Sequence, residues 1–184
     1  AKERGPAHHN VFDQEMYARA KVRLQLETDL RQALRSREFQ VYYQPITSLI
    51  SGRITGFEAL VRWQHPKLGL VSPAEFIPIA EETGLIVPLG AWILREACAK
   101  MQTWQTHLST KVPLTISVNL SGKQLTEPDL IEQIDQIIEE TGLDSGSLKL
   151  EITESVLMDN ATAATKMLWQ LRSRNIQLCL DDFG

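Results

Sequence analysis

Oxygen-bearing side chains recur in short motifs along the chain, each at or just after an apolar run. They are Glu58 in FEAL, Asn119 in SVNLS, Glu151 and Glu154 in LEITES, and the adjacent Asp181 and Asp182 in DDFG. Two neighbouring carboxylates beside an apolar run are costly, because like charges repel and burial penalises both. Bound cations offset such charge, and carboxylate and amide oxygens without His or Cys suit Mg²⁺, Mn²⁺ or Ca²⁺. Adjacent aspartates also suit two ions, an arrangement that recurs in phosphodiester cleavage.

Each of these residues also has a simpler interpretation. Glu154 could open the helix that follows it, Asp182 could lie in a solvated turn, and Asn119 could begin an Asx turn. Taken singly, those explanations give no reason for all of these residues to gather at one edge of the fold. Their occurrence together therefore favours a metal site. The DFG triplet at 182–184 also occurs in protein kinases, but the Gly-rich loop, strand lysine and HRD motif that a kinase needs are missing here.

The elements that must position these side chains alternate along the chain. The β-branched and aromatic segments 39–49 and 53–63 are predicted strands, and the short SG turn between them requires antiparallel pairing. After a first predicted helix at 72–84, the pattern from residue 89 onward is helix–strand–helix–strand–helix–strand, which is typical of parallel βα units. The predicted helices are 72–84, 89–107, 128–140 and 160–174, and the predicted strands are 113–120, 147–153 and 176–181.

Ligands in βα folds gather at the C-terminal ends of the strands. We expect Glu58, Asn119, Glu151 and Asp181 to end four of the strands and to meet at that one edge. An open doubly wound sheet and a (β/α) barrel both fit the periodicity.

Composition narrows the class of protein. The net charge of −4 argues against binding to a nucleic-acid polymer, and the 43% of hydrophobic residues suffice for a core. The isolated Cys98 and Cys179 are interpreted as buried free thiols of a reducing compartment. There is neither an apolar run of about 18 residues nor a signal-peptide pattern, so a cytoplasmic location is expected. The chain could equally be the cytoplasmic part of a larger, membrane-anchored sensor.

A helix is predicted over residues 14–36, where Met16, Ala20, Leu24, Leu30 and Leu34 recur at helical spacing. Its apolar stripe must be covered by the following domain or by a second copy of the chain.

Taken in series, six motifs resemble the EAL family, bacterial phosphodiesterases that open cyclic di-GMP to linear pGpG. They are YYQPI at 42–46, FEALVRW at 57–63, SPAEFIPIAEETGLI at 72–86, ISVNLS at 116–121, LEITES at 150–155 and DDFG at 181–184. The resemblance implies a (β/α)8 TIM-barrel-like fold whose first strand runs antiparallel, which agrees with the predicted hairpin.

The resemblance also implies two bound Mg²⁺ or Mn²⁺ ions and catalytic roles for Glu58, Glu154, Asp181 and Asp182. Glu58, Asn119, Glu151 and Asp181 look like ligands of the first ion, and Asp181 would bridge the two.

For the remaining site residues the resemblance implies different tasks. Asp182 would bind the second ion, and Glu154 would support the ligands. Gln44, Leu60 and Arg62 look like substrate contacts, with Arg62 on a phosphate, where a guanidinium is chemically suitable.

Domain organisation follows from the same resemblance. Residues 1–13, with AKERG and VFD, resemble the end of a GGDEF domain, so they are interpreted as the tail of a preceding domain. Residues 14–36 would be a linker helix and 37–184 the N-terminal part of an EAL barrel. A TIM barrel needs about 250 residues, and the family's later lysine, glutamate and glutamine are missing, so the chain looks truncated after DDFG.

Two functions remain open on this basis. The first is a metal-dependent cyclic di-GMP phosphodiesterase, active in the intact domain and inactive in this 184-residue piece alone. The second is a catalytically inactive cyclic di-GMP receptor. The expected partners are cyclic di-GMP, an upstream GGDEF or sensor domain, and a second copy in a homodimer.

Overall fold

The computed structural model describes residues 14–107, 114–153 and 161–181, with side chains from residue 21 in the first range and from 165 in the third. The elements in chain order are α1 (Gln14–Ser36), β1 (Phe39–Thr47), β2 (Ile54–His65), β3 (Gly69–Val71), α2 (Pro73–Thr83), α3 (Ile86–His107), β4 (Thr115–Asn119), α4 (Gly122–Leu125), α5 (Leu130–Thr141), β5 (Leu148–Thr153), α6 (Ala161–Ser173) and β6 (Gln177–Asp181). The predicted elements are all present, and β3 and α4 are additional.

The strands form one mixed sheet in the order β1-β2-β4-β5-β6, with β3 paired to β2. β1 and β2 are antiparallel, whereas the β2–β4, β4–β5 and β5–β6 pairs are parallel. The predicted antiparallel first strand is therefore confirmed. The described strands leave the sheet open, with β1 at one edge and β6 at the other.

One face of the sheet is apolar and lies under the helices. Alternate residues of a strand share a face, and this face carries Ala59, Trp63, Ile116, Val118, Leu148, Leu150 and Ile152, all buried. The opposite face carries most of the polar strand residues, because the sequence alternates along each strand. This polar face holds the predicted site.

α2 and α3 follow their predicted ends closely. Pro73 occupies the first turn of α2, and Gly84 ends it in the left-handed conformation with φ of 79°. Along α3, Ile93, Leu94 and Met101 are buried, as the helical spacing predicts. α3 begins three residues earlier than predicted, at Ile86.

α1 packs against the domain that follows it. Leu26, Leu30 and Ala33 are buried, whereas Leu24 is 66% exposed, so its predicted place on the apolar stripe is wrong. Leu24 and Leu30 are six residues apart, which is about 240° around a helix, and they therefore face different sides. The side chains of Met16 and Ala20 lie outside the described residues.

The two cysteines have opposite environments. Cys98 is buried, and burial raises the pKa of its thiol to about 12. Cys179 is exposed, so its predicted burial is wrong. It lies on β6, at the edge of the sheet and on the open polar face, which local apolarity does not reveal.

Among the described helices, which include two of more than 20 residues, none is apolar enough over a sufficient length to cross a membrane.

Candidate active site

The polar face is organised as rows of side chains that run across neighbouring strands. In the first row, Glu58 on β2 is opposite Gln44 on β1 and Ser117 on β4. Ser117 is in turn opposite Lys149 on β5. Strand register therefore places two residues predicted from sequence, Gln44 and Glu58, directly side by side.

The second row lies two residues further along each strand. Asn119 is opposite Glu151, and Glu151 is opposite Cys179. Leu60 stands two residues beyond Glu58 and is opposite Tyr42. Two predicted ligands and one predicted substrate contact thus share this row.

The third row contains Arg62, opposite Gln40 on β1, and Asp181, opposite Thr153 on β5. The structure therefore brings to one face every predicted site residue that it describes, namely Gln44, Glu58, Leu60, Arg62, Asn119, Glu151 and Asp181. Glu154 and Asp182 lie outside the described residues.

Two positional expectations are wrong. Asn119 and Asp181 are the last residues of their strands, but β5 continues two residues past Glu151 to Thr153, and β2 continues past Glu58 to His65. β2 is longer because β1 pairs along one of its edges, while β4 and then β3 pair with successive parts of its other edge. Glu58 therefore lies inside its strand and one row lower than Asn119.

Direct contacts orient two of the polar groups. Asn119 Nδ2 donates a hydrogen bond of 3.0 Å to Glu58 Oε1, so one amide already bridges adjacent strands. The Arg62 guanidinium carbon lies 5.7 Å from the centre of the Tyr42 ring, and its Nη1 donates to the Val61 carbonyl at 2.8 Å. A cation over an aromatic face is stabilised by the ring quadrupole, so Tyr42 helps to fix Arg62.

Electrostatics at Glu151 show that negative charge is concentrated here. Burial raises the pKa of this carboxyl above its ordinary value, and the neighbouring Glu58 and Asp181 raise it further. The Ser117 hydroxyl and the Lys149 ammonium act in the opposite direction. A cation bound among these groups would relieve the repulsion between the carboxylates.

The donor set fits a hard divalent cation, because it consists of three carboxylates and one amide on adjacent strands. The carboxylates share a face without meeting at one point. Within residues 21–107, 114–153 and 165–181, no three His, Cys, Asp or Glu side chains lie close enough together to hold one ion.

A cavity of about 300 Å³ adjoins the second and third rows, between the sheet edge and the helices α2, α3 and α4. Leu60, Arg62, Asn119 and Glu151 line it, whereas Gln44, Glu58 and Asp181 do not. Much of its wall comes from positions that the sequence analysis did not select: Pro73, Ile77, Glu81, Ile86, Ser121, Gln124 and Thr153.

Part of that wall is built by α4. Ser121 Oγ accepts a hydrogen bond from the Gln124 amide, and Gln124 Oε1 accepts one from the Ser121 amide, which together form a capping box. The S-x-x-Q spacing at 121–124 is a signal that could have revealed it. Lys123 Nζ donates to the Glu81 carbonyl at 2.8 Å and joins α4 to the end of α2.

Comparison with known proteins identifies the class. The model of the EAL domain family matches residues 27–184, and the chain belongs to that family. The bifunctional diguanylate cyclase/cyclic di-GMP phosphodiesterase MucR of Pseudomonas aeruginosa is 40% identical over 184 residues, which are the whole of this chain and 27% of MucR. The cyclic di-GMP phosphodiesterase PdeR of Escherichia coli is 36% identical over the same length and is likewise covered to 27%.

Solved structures give the same fold. The MucR phosphodiesterase in complex with c-di-GMP aligns with a TM-score of 0.82 at 41% identity, over 87% of this chain and 64% of that one. The EAL enzyme Bd1971, bound to cAMP and cyclic di-GMP, aligns with a TM-score of 0.84 at 37% identity, over 90% and 45% of the two chains. The open sheet is thus part of a TIM-barrel-like EAL fold. The chain spans about a quarter of the length of these curated relatives.

Proposed function

We propose that these residues form part of a metal-dependent phosphodiesterase that hydrolyses cyclic di-GMP to linear pGpG. The observation that carries the proposal is the arrangement on the polar face. Oxygen donors occupy three consecutive rows, and Asn119 and Glu151 of the second row line a cavity together with Arg62. The names of the related phosphodiesterases support the same activity.

In this proposal Glu58, Asn119, Glu151 and Asp181 hold the first ion. Mg²⁺ or Mn²⁺ would supply Lewis acidity at the scissile phosphate. The Asn119–Glu58 hydrogen bond keeps two of the donors on adjacent strands in a fixed relation before any ion binds. Ca²⁺ would inhibit, because its looser coordination positions the reacting groups poorly.

The roles of two further acidic residues stay predictions. Asp182 is assigned to the second ion, which Asp181 would share. Glu154 is assigned to supporting the ligands.

Substrate positioning falls to side chains of β1 and β2. Arg62 would neutralise a phosphate, since its guanidinium lines the cavity and is held over the Tyr42 ring. Leu60 supplies an apolar wall beside it. Gln44 stands opposite Glu58 and offers an amide to the open face.

Cavity size limits what can bind inside it. A volume of about 300 Å³ is at the lower end of the range for small-molecule sites. It would hold part of a cyclic dinucleotide, with the remainder lying across the polar face.

The surroundings of the site are also proposals. Residues 1–13 would end a preceding GGDEF or sensor domain, and 14–36 would link it to the EAL domain in a cytoplasmic homodimer. The bifunctional name of MucR supports a GGDEF partner. The burial of Leu26 and Leu30 against the domain supports a helix that can transmit a signal to it.

A second candidate is a cyclic di-GMP receptor without turnover. The observation that favours it is the cavity, whose wall includes Arg62 but neither Glu58 nor Asp181, so a ligand bound there need not contact those two carboxylates. The cavity and Arg62 would serve a receptor as well as an enzyme.

One experiment separates the two candidates. The 184-residue chain and a chain extended by about 70 residues, the shortfall against a typical barrel, are assayed for pGpG release with Mg²⁺ and Mn²⁺. We expect turnover only in the extended chain, because misplacing reacting groups by about 1 Å costs on the order of a hundredfold. Cyclic di-GMP binding without pGpG in the extended chain would establish the receptor. Equal turnover in both chains would refute the need for further strands.

A further inference from the structure

A buried hydroxyl lies among the proposed metal ligands. Ser117 stands two residues before Asn119 on β4 and shares its face. In the strand register it is flanked by Glu58 on β2 and Lys149 on β5, so Glu151 is its diagonal neighbour. Ser117 is 0% exposed, whereas Asn119 is exposed and Glu151 is only half-buried.

The environment of this hydroxyl is unusual for a buried polar group. Within the part of the chain that the structure describes, Ser117 Oγ is the buried side-chain polar atom that makes no hydrogen bond of ordinary geometry. Burying a hydroxyl without a partner is destabilising. A position that only needed filling would be served better by alanine.

The nearby acceptor is a carboxylate. The Ser117 hydroxyl lies diagonally across from Glu151 in the strand register, and it lowers the pKa of that carboxyl, opposite to the effect of burial. A serine hydroxyl rotates freely to suit its acceptor. Contacts in active sites are often long or poorly aligned until the ligands of the site are bound.

We propose that Ser117 is a positioning residue whose hydroxyl donates a hydrogen bond to Glu151 and orients its carboxylate for cation binding. The inference rests on the metal site of the proposed function. A donor on one carboxylate oxygen leaves the other oxygen free for an ion, and such partners fix the orientation of ligands. Ser117 is neutral and so does not repel a cation, in contrast to Lys149.

A matched pair of variants tests the proposal by Mn²⁺ calorimetry on the extended chain, which is compared as the wild type, Ser117→Ala and Ser147→Ala. Ser147 is the control because it is equally buried, at 2% exposure, and directly precedes β5. Its hydroxyl accepts a hydrogen bond of 2.9 Å from Gln105 Nε2, far along the strand from the ligands.

The two substitutions should change different properties: Ser117→Ala the affinity for Mn²⁺, and Ser147→Ala the Tm. Ser117→Ala is expected to weaken Mn²⁺ binding about tenfold, the lower end of the range for such partners, and to leave Tm unchanged or slightly raised. Ser147→Ala is expected to keep the wild-type Mn²⁺ affinity and to lower Tm by about 2–4 °C, because it loses a satisfied hydrogen bond.

Three results would overturn the inference. Wild-type Mn²⁺ affinity in Ser117→Ala would remove the positioning role and leave the metal site standing. Loss of Mn²⁺ affinity in both variants, in step with Tm, would show that packing alone is responsible. No Mn²⁺ binding by the wild-type chain, with a normal unfolding transition, would refute the metal site and the role of Ser117 together.

Discussion

A buried histidine links α1 to the sheet through a side-chain hydrogen bond. His65, at the end of β2, is 6% exposed, and its Nδ1 accepts hydrogen bonds of 3.1 Å from the amides of Lys67 and Leu68. Because Nδ1 is an acceptor, the ring proton lies on Nε2, which donates to Asp29 of α1 at 3.1 Å. The ring also packs edge-on against Trp63, with centroids 5.2 Å apart.

Replacing His65 by alanine should therefore be strongly destabilising. It removes three hydrogen bonds worth roughly 1 kcal/mol each and an aromatic contact of about 0.5–1 kcal/mol. We expect the free energy of unfolding to fall by about 3.5–4 kcal/mol. At about 2–4 °C per kcal/mol for a chain of this size, Tm should fall by roughly 7–16 °C.

Urea unfolding followed by circular dichroism measures this loss, and Asp29 supplies the matched controls. Asp29→Asn keeps an oxygen that accepts from Nε2 and should cost less than about 0.5 kcal/mol, whereas Asp29→Ala should cost about 1 kcal/mol. A loss below 1 kcal/mol in His65→Ala would refute the reasoning. Equal losses in Asp29→Asn and His65→Ala would show that charge, not hydrogen bonding, maintains the contact.

Three further predictions concern thiols, acid stability and packing. Ellman's reagent should titrate one thiol per native chain, Cys179, and two after unfolding, because burial keeps Cys98 protonated. Rapid reaction of both thiols in the folded chain would contradict this. The hydrogen bond from Arg95 lowers the pKa of Glu140 below 4.5, so the stabilisation from this pair is present above pH 4.5 and is lost as the pH falls through the lowered pKa. Arg95→Met should therefore flatten the pH dependence of the urea midpoint below pH 4.5. An unchanged profile would refute this. Gly90→Ala would force a Cβ into the Gln124 side chain of α4 and should cost about 1–3 kcal/mol in urea unfolding. A wild-type midpoint would show that the Gln124 side chain moves aside without cost.

The helices and strands could be predicted from the sequence, because the periodicities that mark them depend on residues that are close together in the chain. The antiparallel hairpin followed from the short turn between 39–49 and 53–63, and α2 followed from its Ser-Pro start and its Gly84 end. Periodicity shows which residues share a face but not what covers that face. For this reason the exposure of Cys179 and of Leu24 was not foreseen.

The candidate site was only partly predictable. Glu58, Glu151 and Asp181 share one face with Asn119, as their place in βα units suggested, but the strand register puts Glu58 in the row before that of Asn119. The cavity wall depends on contacts between α2 and α4, such as Lys123 with the Glu81 carbonyl, which are distant in sequence. Ser117 lies within the ISVNLS motif, but only its burial among the ligands marks it as a candidate.

The central claim is that the carboxylates of the polar face serve metal-dependent cleavage of cyclic di-GMP. It is tested most directly by pGpG release with Mn²⁺ in the extended chain, compared between wild type, Glu58→Gln and the exposed control Glu140→Gln. Removing an electrostatic stabiliser costs about 10²–10³ in rate, so Glu58→Gln should fall at least that far while Glu140→Gln keeps the wild-type rate. Wild-type turnover in Glu58→Gln, or turnover that persists after chelation of the divalent ions, would contradict the claim.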